Sequence, residues 1–469
     1  MYNFMFMFIF LYGIHLVILG ILYFTFNLYT KPHKNVILET TLTDEQINQP
    51  ETKSVILNFR KKLKKSIFYL ALAALPLIFI NYDSIALIFY LTLTFVTFGV
   101  AQLILISGIR EMQLMKKAQG WLVNDDNSEL VRIDTTLSQN KNQKSLAPTW
   151  FIPLVLVPII FISLGLNSST IWAAYLWINL LFLGMVSLMF LAYYFILRLP
   201  AKVLTDDSLI NQQCNDILRR NWSLMAVLSG YYVVLLELII NLAIFTSTAT
   251  ITWISLFLVL TTLGFLALVC YLIFSARKKQ DDLLTASHKY LSAQEDSFWR
   301  YGFYNNPHDS RTMVQDRLGM NMSLNLGNKS GRRTLTIIMT LTLSLLVILS
   351  TMMLRADFSK HAFTMAFTDT AITLKAPLAS SATLAYQEIE DIALIDELPK
   401  SVRVNGTGTA HYATGKFKVT GEKELANFYI DHRSEKIIKI TSQGHSYYFT
   451  NQKTSETEEN YQRLVNKLK

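Results

Sequence analysis

The chain has 469 residues, of which 51% are hydrophobic and only 16% charged, and its 43 Lys and Arg exceed its 34 Asp and Glu to give a formal net charge of +9. Soluble domains carry about 25% charged residues, so this composition argues against an ordinary soluble protein and for a membrane one. The two cysteines exclude a disulfide framework, because Cys214 falls in a polar connector and Cys270 inside an apolar run.

Eight apolar runs reach the roughly 20 residues that cross a bilayer, or come close to it. They are 4–27, 66–82, 84–108, 149–166, 171–197, 223–245, 250–275 and 334–354. The first lacks a basic n-region and a small-residue cleavage site, so it is expected to be retained rather than removed as a signal peptide. The second is the shortest and carries Pro76, but no charge stands between Ile67 and Ile80, and the turn Asn81-Tyr82-Asp83 follows it. Pro153 and Pro158 predict a kink in the fourth. Trp150, Trp172, Trp222 and Trp253 fall at run ends, where an interfacial belt is expected.

The connectors alternate. Residues 28–65, 109–148, 198–222 and 276–333 are long and hold eight, six, four and ten Lys or Arg. Those at Tyr82-Asp83, Asn167–Thr170 and Thr246–Ala249 are short and hold none. Basic residues stay cytoplasmic, so the N-terminus is expected to face out. With eight spans, residues 355–469 then face out as well, placing an extracellular domain on a multi-pass protein of the cell membrane. The basic excess makes the anionic inner leaflet the expected partner of the long connectors. No basic domain interleaved with aromatics exists, so no nucleic acid is expected. "DEQINQ" (44–49) and "DSLINQ" (207–212) share Ile-Asn-Gln upstream of basic runs, either as a trace of a duplicated hairpin or by chance.

One acidic residue stands deep in a run. Glu237, in "YYVVLLELIINLAIF", is followed at i+4 by Asn241 on the same helical face. A carboxyl at that depth is expected to face the bundle interior, protonated or paired. It is a candidate proton or cation site, or a structural carboxyl bonded to Asn241 or to a neighbouring helix.

The connector 276–333 changes character at Asp296. Its first part continues the seventh helix, whereas residues 296–333 read as a small folded element. Asn306 before Pro307 should be extended, "NPHD" should turn, and Met320, Met322, Leu324 and Leu326 alternate as in a half-buried strand. No nucleophile with a partner base is apparent, and Walker glycines, HExxH and CxxC are missing. No enzyme activity, cofactor or metal is therefore expected. Trp299, Asn306, Pro307, Asp309, Arg311, Val314, Arg317, Asn325, Gly327 and Asn328 form a pattern. It resembles a short cytoplasmic domain of unknown function in Gram-positive multispan membrane proteins. Gln315-Asp316 and Met322 depart from that pattern, where Pro-Lys and Trp are expected. The resemblance implies a helical bundle and a C-terminal bacterial pleckstrin-homology-like domain, but no activity. A more distant analogy runs to membrane proteins that confer immunity to a secreted toxin.

Beyond residue 362 strand-like stretches succeed one another, at 362–367, 371–376, 382–395, 416–421, 425–431, 436–441 and 445–450. A final amphipathic helix carries Tyr461, Leu464, Val465 and Leu468, with Ser455 and Glu458 as its expected capping box. Seven strands closed by one helix predict a mainly-β pleckstrin-homology-like barrel. The residues around Glu397-Leu398-Pro399, Gly406, Gly408 and Gly415 resemble its bacterial form. The three glycines mark either a binding loop or a long hairpin that needs positive φ. The expected fold is thus an eight-span α-helical bundle with that barrel at its end. The expected function is non-enzymatic binding of a peptide, a partner protein or the cell envelope, in sensing, regulation or immunity. A transporter or channel using Glu237 is the alternative.

Overall fold

The computed structural model describes all residues except 1, 122–133, 167–169, 246–247, 286–292, 320–321, 360–361, 410, 423 and 469. Helix α1 (Tyr2–Leu28) leads into a tight hairpin of β1 (Val36–Ile37) and β2 (Thr40–Thr41). Its turn residues Leu38 and Glu39 have φ of 44° and 52°. Non-glycine residues adopt such values only where their surroundings hold them. Short helix α2 (Asp44–Asn48) starts from a capping box between Thr43 and Gln46.

Helices α3 (Pro50–Ala73) and α4 (Asp83–Ala118) follow, antiparallel across a short turn. The run 66–82 is not one helix. It ends as α-helix at Ala73, and a 3₁₀ turn spans Leu75–Phe79, because Pro76 lacks an N–H and disfavours helix before it. The helix starts far upstream instead and includes the basic run at 60–65. Phe59 and Leu63 of α3 pack on Leu105, Ile109 and Met112 of α4, and the hairpin's Ile37 and Leu38 close the same core.

After α5 (Thr135–Asn140) come α6 (Ile152–Leu166), α7 (Thr170–Arg198), α8 (Ser208–Phe245) and α9 (Thr248–Thr285). Pro158 lies inside α6, while Pro153 occupies its first turn, where a missing N–H costs nothing. Leu154, Phe182, Val186, Val227, Val233 and Val234 join α6, α7 and α8 in one core. Trp150 and Trp253 are exposed. The side chain of Trp172, Met320 and the turns at 167–169 and 246–247 lie outside the described residues. Among the described residues, six helices are long and apolar enough to cross a membrane: α1, α4, α7, α8, α9 and α10 (Lys329–Phe358). The shorter apolar helix Pro148–Leu164 and the broken α3 carry the other two apolar runs.

Between α9 and α10 a small element pairs β3 (Met313–Gln315) with β4 (Met322–Leu324). Helix α10 has 30 residues, about 45 Å at 1.5 Å per residue, so it separates this element from the C-terminal domain by a bilayer's thickness.

Among the described residues that domain has nine strands rather than the seven expected. Strands β5 (Thr364–Phe367), β6 (Ala371–Lys375) and β7 (Ala382–Ala385) form one sheet. Strands β8 (Ile389–Ile395), β9 (Ser401–Gly408), β10 (Tyr412–Val419), β11 (Leu425–Asp431), β12 (Ile437–Ser442) and β13 (His445–Phe449) form another, in the order β8-β12-β13-β11-β10-β9. The stretch 382–395 breaks in two at a 3₁₀ turn, Tyr386–Glu388. Residues 401–408 are a strand although they are polar and glycine-containing, because β10 supplies their partners along its length. Helix α11 (Thr454–Leu468) begins one residue before the expected cap Ser455, and the Thr454 hydroxyl accepts from the Glu435 N–H at 3.1 Å. Leu464 is fully buried against Ile372, Leu374, Ile438, Ile440 and Phe449 from both sheets. Leu464→Ala is expected to cost about 2–5 kcal/mol, read as earlier thermal loss of the domain's β signal.

Candidate functional site

The residues marked by sequence fall in three separate places. In the element before α10, Trp299 is buried with Tyr304 and Val314. Asn325, fully buried, holds the Asn-Pro turn. Its Oδ1 accepts from the N–H groups of Asn306 and Gly327, both at 3.0 Å, and its Nδ2 donates to the carbonyls of Asn306 and Asp309 at 2.9 and 2.8 Å. The turn after Pro307 is closed by the His308 N–H, which donates to Asn306 Oδ1 at 2.9 Å. Arg311 donates to Asp309 from Nε and Nη2, at 2.9 and 2.6 Å, and this guanidinium lowers the Asp309 carboxyl below its ordinary range. Asn328 bonds the carbonyls of Asp309 and Arg311 while capping α10. A Cβ on Gly327 would stand 2.4 Å from the Asn306 carbonyl carbon. These motif groups are spent on one another. They build a clip that starts α10.

Behind the clip lies a buried ionic cluster that the sequence reading missed. Asp296 accepts from the Thr41 N–H at 3.0 Å, the Thr41 hydroxyl at 2.7 Å, Arg317 Nη1 at 2.8 Å and Lys116 Nζ at 3.1 Å. Lys116 also donates to the Thr41 carbonyl at 2.6 Å, and Arg317 to the Glu39 carbonyl at 2.8 Å. The Glu39 carboxyl, 1% exposed, is 4.0 Å from Arg317 Nε and has no hydrogen-bond partner among the described residues. Burial pushes its pKa up to about 8 against the opposing pull of Arg317. Nearby, burial pushes His33 down to about 4, although its Nδ1 lies 2.9 Å from Asp281.

The folded state therefore holds the Glu39 proton more tightly than the unfolded chain does. That contribution is complete at low pH and is lost as pH rises from the ordinary carboxylate range through about 8. His33 acts oppositely: its contribution is present above its ordinary value of 6.5 and is lost as pH falls through about 4. Above neutrality only Glu39 of the two counts. Between about pH 7 and 9 the wild type should lose on the order of 1 kcal/mol more than Glu39→Gln, read from thermal unfolding in detergent.

On α8, Glu237 is completely buried, and of the two alternatives the structure does not show the carboxyl bonded to Asn241. Asn241 Nδ2 donates to the backbone carbonyl of Glu237 and to Asn179 Oδ1 on α7, both at 2.9 Å. Neither carboxyl oxygen of Glu237 has a hydrogen-bond partner among the described residues. Asn179 was overlooked, although an amide inside an apolar run was itself a signal.

In the C-terminal domain, Gly406 and Gly415 face each other across β9 and β10. Their φ values are 130° and 112°. A Cβ on either would meet the opposing backbone, at 2.1 Å from the Thr414 oxygen or 2.4 Å from the Asn405 oxygen. The glycines therefore close a hairpin, and that bare crossing lines a groove of about 330 Å³ with Lys416, Asn427, Tyr429 and Tyr447. Gly408 stands apart, its carbonyl accepting from Arg403 at 3.4 Å. The groove's far wall is the β6–β7 loop at Leu378–Ala382, held by the Tyr429 hydroxyl, which donates to the Ser380 carbonyl at 2.8 Å. A second cavity of about 310 Å³ lies between Pro377 and Leu378 of that loop and Met352, Arg355 and Ser359 at the end of α10. Leu378, with a φ of 59°, lines both.

The domain is docked on the tip between α3 and α4. His411 Nε2 is 2.7 Å from the Asn81 carbonyl, and the Ser84 N–H donates to Asp357 Oδ2 at 3.0 Å. Tyr82 and Phe358 are in ring contact at 4.7 Å. His445 also lines the groove. Among the described residues no group of three or more His, Cys, Asp or Glu could hold a metal ion.

A family model of the bacterial PH domain matches residues 364–465, which run from β5 into α11. No curated protein and no solved structure matches the chain. The protein thus joins membrane-like helices to a bacterial PH-like domain.

Proposed function

We propose that this is a non-enzymatic binding and sensing protein of the cell membrane, with the bundle crossing eight times and the PH-like domain on the extracellular face. The groove takes a peptide, a partner protein or an envelope component, in a regulatory or immunity-like role. The orientation is supported by the basic residues, 28 of which lie in the four long connectors. Those connectors face anionic inner-leaflet lipid. Likeness to the Gram-positive multispan proteins supports a cytoplasmic place for the clip.

One observation carries the sensing role: Leu378 walls the groove on one side and the cavity against α10 on the other. An occupant that moves this loop changes the packing at the end of the last helix. The test is a photoreactive residue at Asn427 in the full chain, in living cells. A crosslinked adduct that Lys416→Glu abolishes supports the groove as the site. Absence of any adduct from Asn427 and from Tyr447 counts against it. For the orientation, single cysteines at Glu459 and at Lys61, in a Cys214→Ala/Cys270→Ala background, are exposed to a membrane-impermeant maleimide. Labelling at 459 but not at 61 in intact cells is expected; the reverse pattern inverts the topology.

A further inference from the structure

Glu237 is a buried ionisable group that neither the groove nor the clip uses. It sits in α8 among Val233, Val234 and Asn241, within the part of α8 apolar enough to cross a membrane. A buried polar group left without a hydrogen bond costs about 1–3 kcal/mol, and an unpaired carboxylate costs more. An apolar residue of similar size would avoid that cost, so packing alone gives no reason for a carboxyl here.

Among the described residues, the groups around it offer no counter-charge. Helix α6 contains no titratable residue. On α7 the described titratable side chains are Tyr193, whose hydroxyl donates to the Leu146 carbonyl, and Tyr194 and Arg198 at the helix end, which contact each other. On α9, after Cys270 and Tyr271, the charges begin only at Arg277. On α8 itself Tyr232 is bonded to Thr262 at 2.6 Å, and Arg219 is spent on the carbonyls of Ile196 and Leu199. Among the described residues, no cation stands in place to stabilise a carboxylate here.

The polar neighbours are amides. Asn241 lies one turn on from Glu237 and is linked to Asn179, and the two are 2% and 0% exposed. We propose that Glu237 is a proton-binding site inside the bundle, taking up and releasing one proton at a carboxyl that is fully buried and has no hydrogen-bond partner among the described residues. The proposal is independent of the groove.

The test uses the full chain in detergent micelles and an apolar fluorescent carbodiimide, which reacts with protonated carboxyls in apolar surroundings. The carboxyl proton passes to a carbodiimide nitrogen as the carboxyl oxygen bonds the central carbon, and acyl transfer to nitrogen fixes the adduct. Peptide mapping of the wild-type protein is expected to find the label on Glu237. Labelling should fall about tenfold or more between roughly pH 6 and pH 10, as the neutral form disappears, and should be absent from a folded Glu237→Gln variant. Mapping on the wild type keeps the test valid should that variant not fold. Absence of label at Glu237, or labelling unchanged with pH, overturns the proposal. Protection by sodium at constant ionic strength also overturns it, because the site would then be a cation site.

Discussion

Asp296→Ala is expected to destabilise the protein by about 3–5 kcal/mol, the cost of removing one partner from a buried ion pair. The side chains of Lys116 and Arg317 are 10% and 4% exposed, and both lose their carboxylate. Arg317 would keep Glu39 at 4.0 Å, but that contact is longer than a hydrogen bond. The Thr41 N–H, buried beside them, would lose its acceptor too. The cluster joins the hairpin after α1, helix α4 and the element before α10, so the loss should loosen all three. It would be seen as a lower unfolding temperature in detergent and as new protease cleavage within 293–319. Asp309→Ala supplies the contrast: its partner Arg311 is 48% exposed, and the expected cost is nearer 1 kcal/mol. Equal costs for the two variants would show that the buried cluster is not holding these segments together.

Gly415→Val should abolish folding of the PH-like domain while leaving the helices formed. The glycine's φ of 112° is closed to a β-branched residue, and its Cβ would stand 2.4 Å from the Asn405 oxygen and 2.6 Å from the Gly406 Cα. Both obstacles are backbone, so no side chain can turn aside. A cost of roughly 4 kcal/mol or more follows, in the range reserved for severe lesions. The same crossing sets the pairing of β9 with β10, so its loss frees the whole edge of the larger sheet. Limited proteolysis should then remove residues 364–465 with helical circular dichroism preserved. Gly421→Ala is the control. Its φ is 94°, but nothing lies within 4 Å of the added carbon, so only the backbone term of about 1–2 kcal/mol applies. A Gly415→Val protein that retains a protease-resistant domain would mean that the crossing adapts.

The runs of apolar residues were legible because a bilayer imposes a length, and every one of the eight lies on helical structure. Their ends were not. Helix α3 starts at Pro50, and α8 at Ser208 rather than near 223, because a helix satisfies its own backbone and continues into polar sequence when a neighbour covers one face. The strands were legible where apolar residues alternate, as at Leu425–Asp431. Residues 401–408 were legible only as one arm of a binding loop or a long hairpin, because their side chains are polar and their glycines break any alternation. Hydrogen bonds from β10, which no local pattern records, made them a strand.

Sequence by itself determined that membrane-like helices carry a C-terminal β-domain closed by a helix, since hydrophobic length and period are written locally. Tertiary structure alone decided that Gly406 meets Gly415 at the floor of a groove, that Asp296 gathers Thr41, Lys116 and Arg317, and that the Glu237 carboxyl has no hydrogen-bond partner among the described residues. Those are contacts or vacancies between residues far apart along the chain. Their energies arise from mutual burial, which leaves no periodic trace in the order of the amino acids.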